Sequence, residues 1–167
     1  MFALLGDLPT HPLLVHIPVV LIPLAAIGAL VMALRPKLLR TFGPAVAGLA
    51  GIGFLGAILA ASTGEELEDS RRAAGETISA TLHDHAEMGD TVQVIAGIFF
   101  VLLLGWVLFD RWRSKVGDER AAAAVRKPRV VGTVLAVLVV LAGAGAATSV
   151  VLTGHSGAKS VWEQSAP

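Results

Sequence analysis

Residues 130–152 read VVGTVLAVLVVLAGAGAATSVVL, a run of 23 residues without a formal charge. About 20 apolar residues are needed to cross a bilayer as a helix, because each residue advances about 1.5 Å through a hydrocarbon core of about 30 Å. Three stretches of the same kind lie upstream, at Leu13–Leu34, Phe42–Thr63 and Thr91–Phe109. The sequence therefore predicts an all-α, polytopic membrane protein that folds as one antiparallel bundle of four transmembrane helices.

The composition is typical of a membrane protein. Of the 167 residues, 54% are hydrophobic and 16% are charged, and the mean hydropathy is +0.73. A soluble domain has about 45–50% apolar and about 25% charged residues. Thirteen basic residues balance thirteen acidic ones, so the net charge does not indicate nucleic-acid binding. The absence of cysteine excludes disulfides, iron–sulfur clusters and c-type haem attachment.

The four stretches leave no room for a second domain. We expect a single domain over residues 1–167, with helices at approximately 12–34, 42–63, 82–110 and 130–153. Small residues repeat at four-residue spacing in two of these helices, at Gly43, Ala47 and Gly51, at Gly53, Ala57 and Ala61, and at Gly143 and Ala147. Such faces let helices approach closely. We interpret them as packing surfaces, and the alternative is that they make room for a flat cofactor.

The positions of lysine and arginine predict how the bundle lies in the membrane. Cytoplasmic loops are enriched in these residues. Ten of the thirteen basic residues fall in the first and third connecting loops. They are Arg35, Lys37, Arg40, Arg111, Arg113, Lys115, Arg120, Arg126, Lys127 and Arg129. We therefore expect both loops in the cytoplasm, both termini outside, and a location in the bacterial inner membrane. Trp106, Phe109 and Trp112 are expected to form an aromatic belt at the inner interface.

All five histidines fall at the predicted outer end of the bundle. His11 and His16 begin the first helix, His83 and His85 begin the third, and His155 follows the fourth. A bundle brings these three helix ends together, and neutral imidazole is a common ligand of metals and of haem iron. The sequence therefore predicts a cofactor or metal site at the outer end.

Local sequence ranks these histidines as candidate ligands. His16 lies inside an apolar stretch, where an ionisable residue indicates a function more often than a packing role. His85 shares its helix face with small apolar residues and is expected to point inward, whereas His83 is expected to be solvated. Gly154 is a natural helix terminator. We expect the fourth helix to end there and His155 to fold back over the mouth of the bundle.

The segment HPLLVHIP, residues 11–18, resembles the opening of a bacterial membrane family, domain of unknown function 2231. Its members typically begin HP-x-x-V-H-F-P and continue as four hydrophobic helices. They carry a histidine near the start of the third helix and a glycine-rich segment after the fourth. The corresponding residues here are His83 or His85 and TGHSGA, residues 153–158, while Ile17 replaces the usual Phe. The family has no settled activity, but its arrangement is similar to small b-type cytochromes, which hold haem between histidines on neighbouring or diagonal helices.

The first functional hypothesis is a protein that binds one b-type haem near the outer face and transfers electrons. The first and third helices of an up-and-down bundle are diagonal partners, so His16 and His85 would face each other across the core. Met88 is an alternative to His85 as an axial ligand. Arg71 and Arg72 would pair with the haem propionates. Alternatively, these arginines pair with the neighbouring acidic residues of the second loop.

The second hypothesis is a copper or zinc site. His11, His16, His85 and His155 would supply three or four nitrogen ligands, with a neighbouring carboxylate in support. His11 and His16 are five residues apart, about 140° around a regular helix. Both can point inward only if the helix starts late or bends.

The third hypothesis is a membrane anchor or accessory subunit without a cofactor. The second loop is acidic and would dock a basic redox protein or a respiratory subunit at the outer face. The chain contains no G-x-S-x-G elbow and no phosphate-binding loop, so a stand-alone enzyme is the less favoured interpretation.

Overall fold

The computed structural model describes residues 4–5, 8–77 and 80–164. These residues form helices almost throughout, preceded by one antiparallel pair of two-residue strands. The elements are β1 (Leu4–Leu5), β2 (Leu8–Pro9), α1 (Thr10–Leu14), α2 (His16–Leu34), α3 (Lys37–Ala73), α4 (Ala80–Val116), α5 (Asp118–Ala124) and α6 (Pro128–Gln164). Four helices are long and apolar enough to cross a membrane, which confirms the predicted membrane bundle.

The four long helices form a closed ring of neighbours. Helix α2 contacts α3, α3 contacts α4, α4 contacts α6, and α6 returns to α2. Helices α2 and α4 are therefore diagonal partners, as the up-and-down connectivity predicts. We call the end that carries the loops at residues 35–36 and 117–127 the basic end, and the opposite end, where α1 begins, the histidine end.

Helices α1 and α2 act as one membrane-crossing rod with a small irregularity at Val15. Pro18 has no backbone N–H, so it cannot donate to the carbonyl of Leu14. The rod continues through this point because the N–H of Val15 donates to His11 O (3.1 Å) and the N–H of Val19 donates to Val15 O (3.2 Å). His11 therefore lies on the first turn of a helix that crosses the membrane.

The core of the bundle combines a few large side chains with close contacts at glycine. Phe99, Ile22, Met32, Leu103 and Val139 are the largest side chains that are fully buried. The remaining large aliphatic residues face outward in many places, as expected where lipid replaces water. Within the apolar stretches, large hydrophobic side chains therefore cover much of the outer surface.

Glycines set how closely the helices approach. A Cβ on Gly53 would lie 2.9 Å from Ile22, one on Gly43 would lie 3.0 Å from Val107, and one on Gly143 would lie 3.0 Å from Phe99. At Gly43, Gly53 and Gly143 these small-residue faces therefore pack against a neighbouring helix.

The helices extend well beyond the predicted boundaries. Helix α3 is expected from hydropathy to end at about residue 63 but continues to Ala73. There the N–H of Gly75 donates to Arg72 O and that of Glu76 to Arg71 O, both at 3.1 Å, which is the Schellman motif. Gly75 has a φ of +81°, a left-handed conformation that favours glycine. The continuation is polar and lies outside the apolar stretch, so hydropathy alone does not reveal it.

The prediction that Gly154 ends the fourth helix is wrong. Helix α6 runs through Gly154 and His155 to Gln164. A glycine within a helix costs about 1 kcal/mol relative to alanine, which tertiary packing readily exceeds. Here α6 packs along α4 beyond this point, because Gly157 lies against the ring of His85. His155 consequently stays on the helix surface and is exposed.

The predicted aromatic belt at the inner interface is wrong for one of its three residues. Trp106 is only 4% exposed and packs in the core of the bundle. Phe109 and Trp112 are partly exposed, with ring centroids 5.8 Å apart.

Candidate functional site

The structure separates the five histidines into one pair and three exposed residues. His11 on α1 and His85 on α4 are both partly buried, and their ring centroids are 6.1 Å apart with an interplanar angle of 84°. His16, His83 and His155 are exposed. Because α1 leads into α2, the two paired rings come from diagonal corners of the bundle and meet across its mouth.

Hydrogen bonds hold both rings of the pair in place. His11 Nδ1 lies 2.7 Å from the carbonyl oxygen of Ala60, which only accepts, so Nδ1 carries the proton. His85 Nδ1 lies 3.0 Å from Ser156 Oγ, and that hydroxyl donates its own proton to Thr153 O at 2.9 Å. His85 Nδ1 is therefore also the donor. In the neutral form of each ring, this hydrogen bond leaves the lone pair on Nε2, the atom that would bind a metal.

Two glycines leave room for the rings of His11 and His85 between the helices. A Cβ on Gly157 would lie 2.7 Å from Cε1 of His85, closer than real Cβ atoms come to other atoms. A Cβ on Gly64 would lie 3.1 Å from Cε1 and Nδ1 of His11. Each ring thus lies directly against the backbone of a neighbouring helix, α3 for His11 and α6 for His85.

A cavity of about 450 Å³ surrounds the pair, and we call it the histidine cavity. All four long helices contribute to its wall, which is mostly alanine, glycine, valine and proline. The charged residues that line it are Glu65, Glu68 and Arg71. An apolar space with a few convergent polar groups is the usual form of a small-molecule site.

An ion-pair network on α3 lies beside the cavity, and His83 of α4 lies next to it. The side chain of Glu68 is only 11% exposed and accepts from Arg72, with Oε1 and Nη2 2.6 Å apart. Arg72 also donates to Asp69 at 3.1 Å. The Nδ1 of His83 lies 3.7 Å from the same Glu68 oxygen, and its Nε2 lies 3.6 Å from Glu87. Arg72 therefore pairs with the neighbouring acids, as the alternative interpretation predicted.

His11, and not His16, is the residue that meets His85. His16 lies outside the lining of the histidine cavity, and its Nδ1 donates to Pro12 O of its own helix at 2.7 Å. The expected opposition of His16 and His85 across the core is therefore not what the structure shows. The physical reason is the angle of about 140° between the two histidines on one continuous helix, which lets only one of them point inward.

The other predicted site residues are placed as follows. Met88 is 40% exposed and does not line the cavity. His155 is exposed and does not line the cavity, because α6 does not end at Gly154. Arg71 lines the cavity, and Arg72 pairs with Glu68 and Asp69. The predicted set of His11, His16, His85 and His155 does not converge, and within the described residues no three His, Asp or Glu side chains form a metal-binding group.

Sequence reasoning missed the residues that support the pair. Ser156 and Gly157 lie within the glycine-rich segment that carried the family resemblance, so a signal for them was present. Gly64 and the carbonyl of Ala60 had no such signal, because their role depends on the rotation of α3 about its axis.

Comparison with known proteins gives one result. The family model described as "Predicted membrane protein (DUF2231)" matches residues 7–166. Neither a curated protein nor a solved structure matches the chain significantly. The family match covers nearly the whole chain, including the HPLLVHIP opening, all four membrane-crossing helices and the segment that holds Ser156 and Gly157. The chain therefore belongs to the DUF2231 family of predicted membrane proteins.

Proposed function

We propose that the protein binds one b-type haem in the histidine cavity through His11 and His85, and that it transfers electrons at this end of the bundle. The observation that carries the proposal is the close approach of these two rings from diagonal helices. The ligand pair differs from the one favoured by sequence, in that His11 replaces His16.

The separation of the rings fits two ligands of a single iron. Two imidazoles that bind one metal ion from opposite sides have ring centroids roughly 6 Å apart, because each metal–nitrogen bond is about 2 Å long. The observed separation is 6.1 Å. Both Nδ1 atoms donate to protein oxygens, which is how metal-binding histidines are normally oriented.

The number of available ligands favours haem over zinc. Zinc sites use three or four protein ligands, and the described residues bring only two histidines together. A porphyrin supplies four nitrogens itself, so two axial histidines complete the coordination of its iron.

The cavity supports the same interpretation. Its volume of about 450 Å³ is within the range of roughly 300–1,000 Å³ found for small-molecule sites, and its wall is apolar. Arg71 in the lining would contribute positive charge toward a propionate. When bound, haem would supply a one-electron iron couple, and the residues of the chain would hold it and set its environment.

An electron partner would be a basic protein or a respiratory subunit at the histidine end. The second loop and its flanking helix ends hold ten ionised groups, of which eight are acidic. The acids are Glu65, Glu66, Glu68, Asp69, Glu76, Asp84, Glu87 and Asp90. Complementary charge speeds the encounter of redox proteins.

The proposal places the histidine end outside the cytoplasm, in an inner membrane with both termini outward. Cysteines introduced at Ser114 and at Ala74, both exposed, test this orientation. A membrane-impermeant thiol reagent applied to intact spheroplasts should label Ala74→Cys and leave Ser114→Cys unlabelled. The reverse pattern would contradict the orientation and move the site to the cytoplasm.

The cofactor itself is tested by absorption spectroscopy of the full chain, purified in mild detergent after growth with haem precursor, copper and zinc. We expect a Soret band, sharpened α and β bands after dithionite reduction, and iron equimolar with the chain. His85→Ala should lose these bands, while His83→Ala, an exposed histidine two residues earlier, should keep them.

Other outcomes contradict the proposal. A colourless protein with bound copper or zinc would assign the pair to a metal ion. A colourless, metal-free protein would favour the accessory-subunit hypothesis. Haem that is retained equally in both variants would place the cofactor elsewhere.

A further inference from the structure

A second concave surface lies on the outside of the bundle, between α3 and α4, far from the histidines. This groove of about 420 Å³ is almost entirely apolar. Its floor is formed by Gly48 and Gly51 on α3 and by Phe100 and Leu104 on α4, and Arg111 lies at one end.

The groove lies where two residues of α3 are glycines and have no side chain. A Cβ on Gly48 would meet nothing within 4 Å, so this glycine is not required by packing within the chain. A Cβ on Gly51 would lie 3.0 Å from Phe100, which closes the groove on its inner side. Ile52, Leu55 and Leu108 are each more than half exposed and form its rims.

The groove has the length of one leaflet. It extends along α3 from Pro44 to Leu55, which lie 11 positions apart and are therefore separated by about 16 Å at 1.5 Å per residue. Half of a hydrocarbon core of about 30 Å is about 15 Å. An extended acyl chain of one leaflet would therefore fill the groove from end to end.

The polar end of the groove lies at the basic end of the bundle. Arg40 near the start of α3 pairs with Asp110 on α4 (Nε to Oδ2, 3.6 Å), which places the exposed Arg111 beside the first turn of α3. Arg113 also lies 3.6 Å from Asp110. Arg40 and Arg113 carry two positive charges against the one negative charge of Asp110. The net charge around Arg111 is therefore positive.

We propose that this groove binds one anionic phospholipid of the leaflet on the basic side, with an acyl chain between α3 and α4 and the headgroup phosphate on Arg111. An arginine guanidinium matches phosphate oxygens in charge and in its forked geometry. Basic residues at the ends of membrane helices are suited to anionic headgroups. The site is independent of the haem proposal.

Native mass spectrometry of the detergent-purified chain, titrated with dioleoyl phosphatidylglycerol or dioleoyl phosphatidylcholine, tests the site. The two lipids share acyl chains and differ in headgroup charge. We expect the wild type to bind the first at least tenfold more tightly. Gly48→Leu should fill the groove and lower its occupancy at least tenfold. Arg111→Gln should remove the preference between the two lipids.

Two matched variants control for general damage. Gly105 on α4 is also exposed, and a Cβ added there would meet nothing within 4 Å, but it lies outside the groove, so Gly105→Leu should bind as the wild type does. Arg120→Gln, on α5, should keep the lipid preference. Equal binding of both lipids by the wild type, or equal loss in Gly48→Leu and Gly105→Leu, would overturn the proposal. A dimer that Gly48→Leu dissociates would also overturn it, because the groove would then hold a second copy of the chain.

Discussion

The two ends of the bundle are built from the same four helices but are filled differently. At the basic end the core contains Met32, Leu39, Leu103 and Trp106, none more than 4% exposed. At the histidine end the facing positions are small, and a cavity of about 450 Å³ lies between the helices. The small residues that line it are Ala57, Ala60, Ala61, Gly64, Ala86, Gly89, Gly154, Gly157 and Ala158.

Small side chains therefore accompany the cavity at the histidine end, and large ones accompany the filled core at the basic end. The helices remain in contact at the histidine end, where His11 lies against Gly64 and His85 lies against Gly157. The basic end thus supplies the packing, and the histidine end supplies a space into which two imidazoles project.

Removing a large side chain at the basic end should have the largest effect on stability. Trp106→Ala is expected to lower the free energy of unfolding by about 3–5 kcal/mol, through lost contacts and a new cavity. Leu108→Ala, on the same helix but 56% exposed, should have a much smaller effect. Unfolding curves in increasing SDS measure both. Haem bound per folded chain should be unchanged in Trp106→Ala, and its loss would mean that the two ends are coupled.

Adding one carbon at the histidine end should affect the site more than the fold. The Cβ of Gly157→Ala would displace the ring of His85, so haem affinity is expected to fall at least tenfold, about 1.4 kcal/mol. Gly145→Ala adds the same carbon to the same helix outside the cavity, where the added Cβ would lie 3.8 Å from Ile95, and should leave affinity unchanged. Haem titration of the apoprotein distinguishes the two. Equal affinities would mean that His85 does not bind iron.

The ion-pair network beside the cavity should contribute modestly to stability. Glu68→Gln is expected to cost about 1 kcal/mol, since Arg72 is more than half exposed and the pair is screened by solvent. Asp69→Asn, which changes an acid that is 77% exposed, should cost less. Unfolding in low and high salt measures this difference. A larger effect for Asp69→Asn would contradict the assigned burial of Glu68.

The smallest expected effect is an increase in stability. Gly154→Ala should raise the free energy of unfolding by roughly 0.5–1 kcal/mol, because Gly154 lies within α6 and alanine favours helix. Destabilisation by this change would indicate that the helix does end near residue 154, as the sequence suggested.

The sequence predicts the membrane bundle well because the hydropathy of each crossing segment depends on that segment alone. Uncharged stretches of about 20 residues leave few alternatives to crossing helices, and short loops make the first and third helices diagonal. The helix ends were less predictable. The continuation of α3 to Ala73 is polar, and the passage of α6 through Gly154 depends on packing against α4.

The site was predictable in region but not in every residue. One-sided histidines indicated the histidine end, and the small residues around His85 indicated that it points inward. The choice between His11 and His16 depends on the rotation of the first helix, which hydropathy does not determine when both faces are apolar. The supporting contacts of Gly64 and Ser156 arise only once four helices are assembled.

The most direct test compares the two histidines of the first helix. His11→Ala and His16→Ala differ by five positions on one rod, and both remove an imidazole from the same apolar segment. The reduced-minus-oxidised absorption spectrum of each, normalised to chain concentration, reports axial ligation. We predict that His11→Ala loses the low-spin α band while His16→Ala retains it. An intact α band in His11→Ala together with its loss in His16→Ala would contradict the assignment of His11 and His85 as the ligand pair.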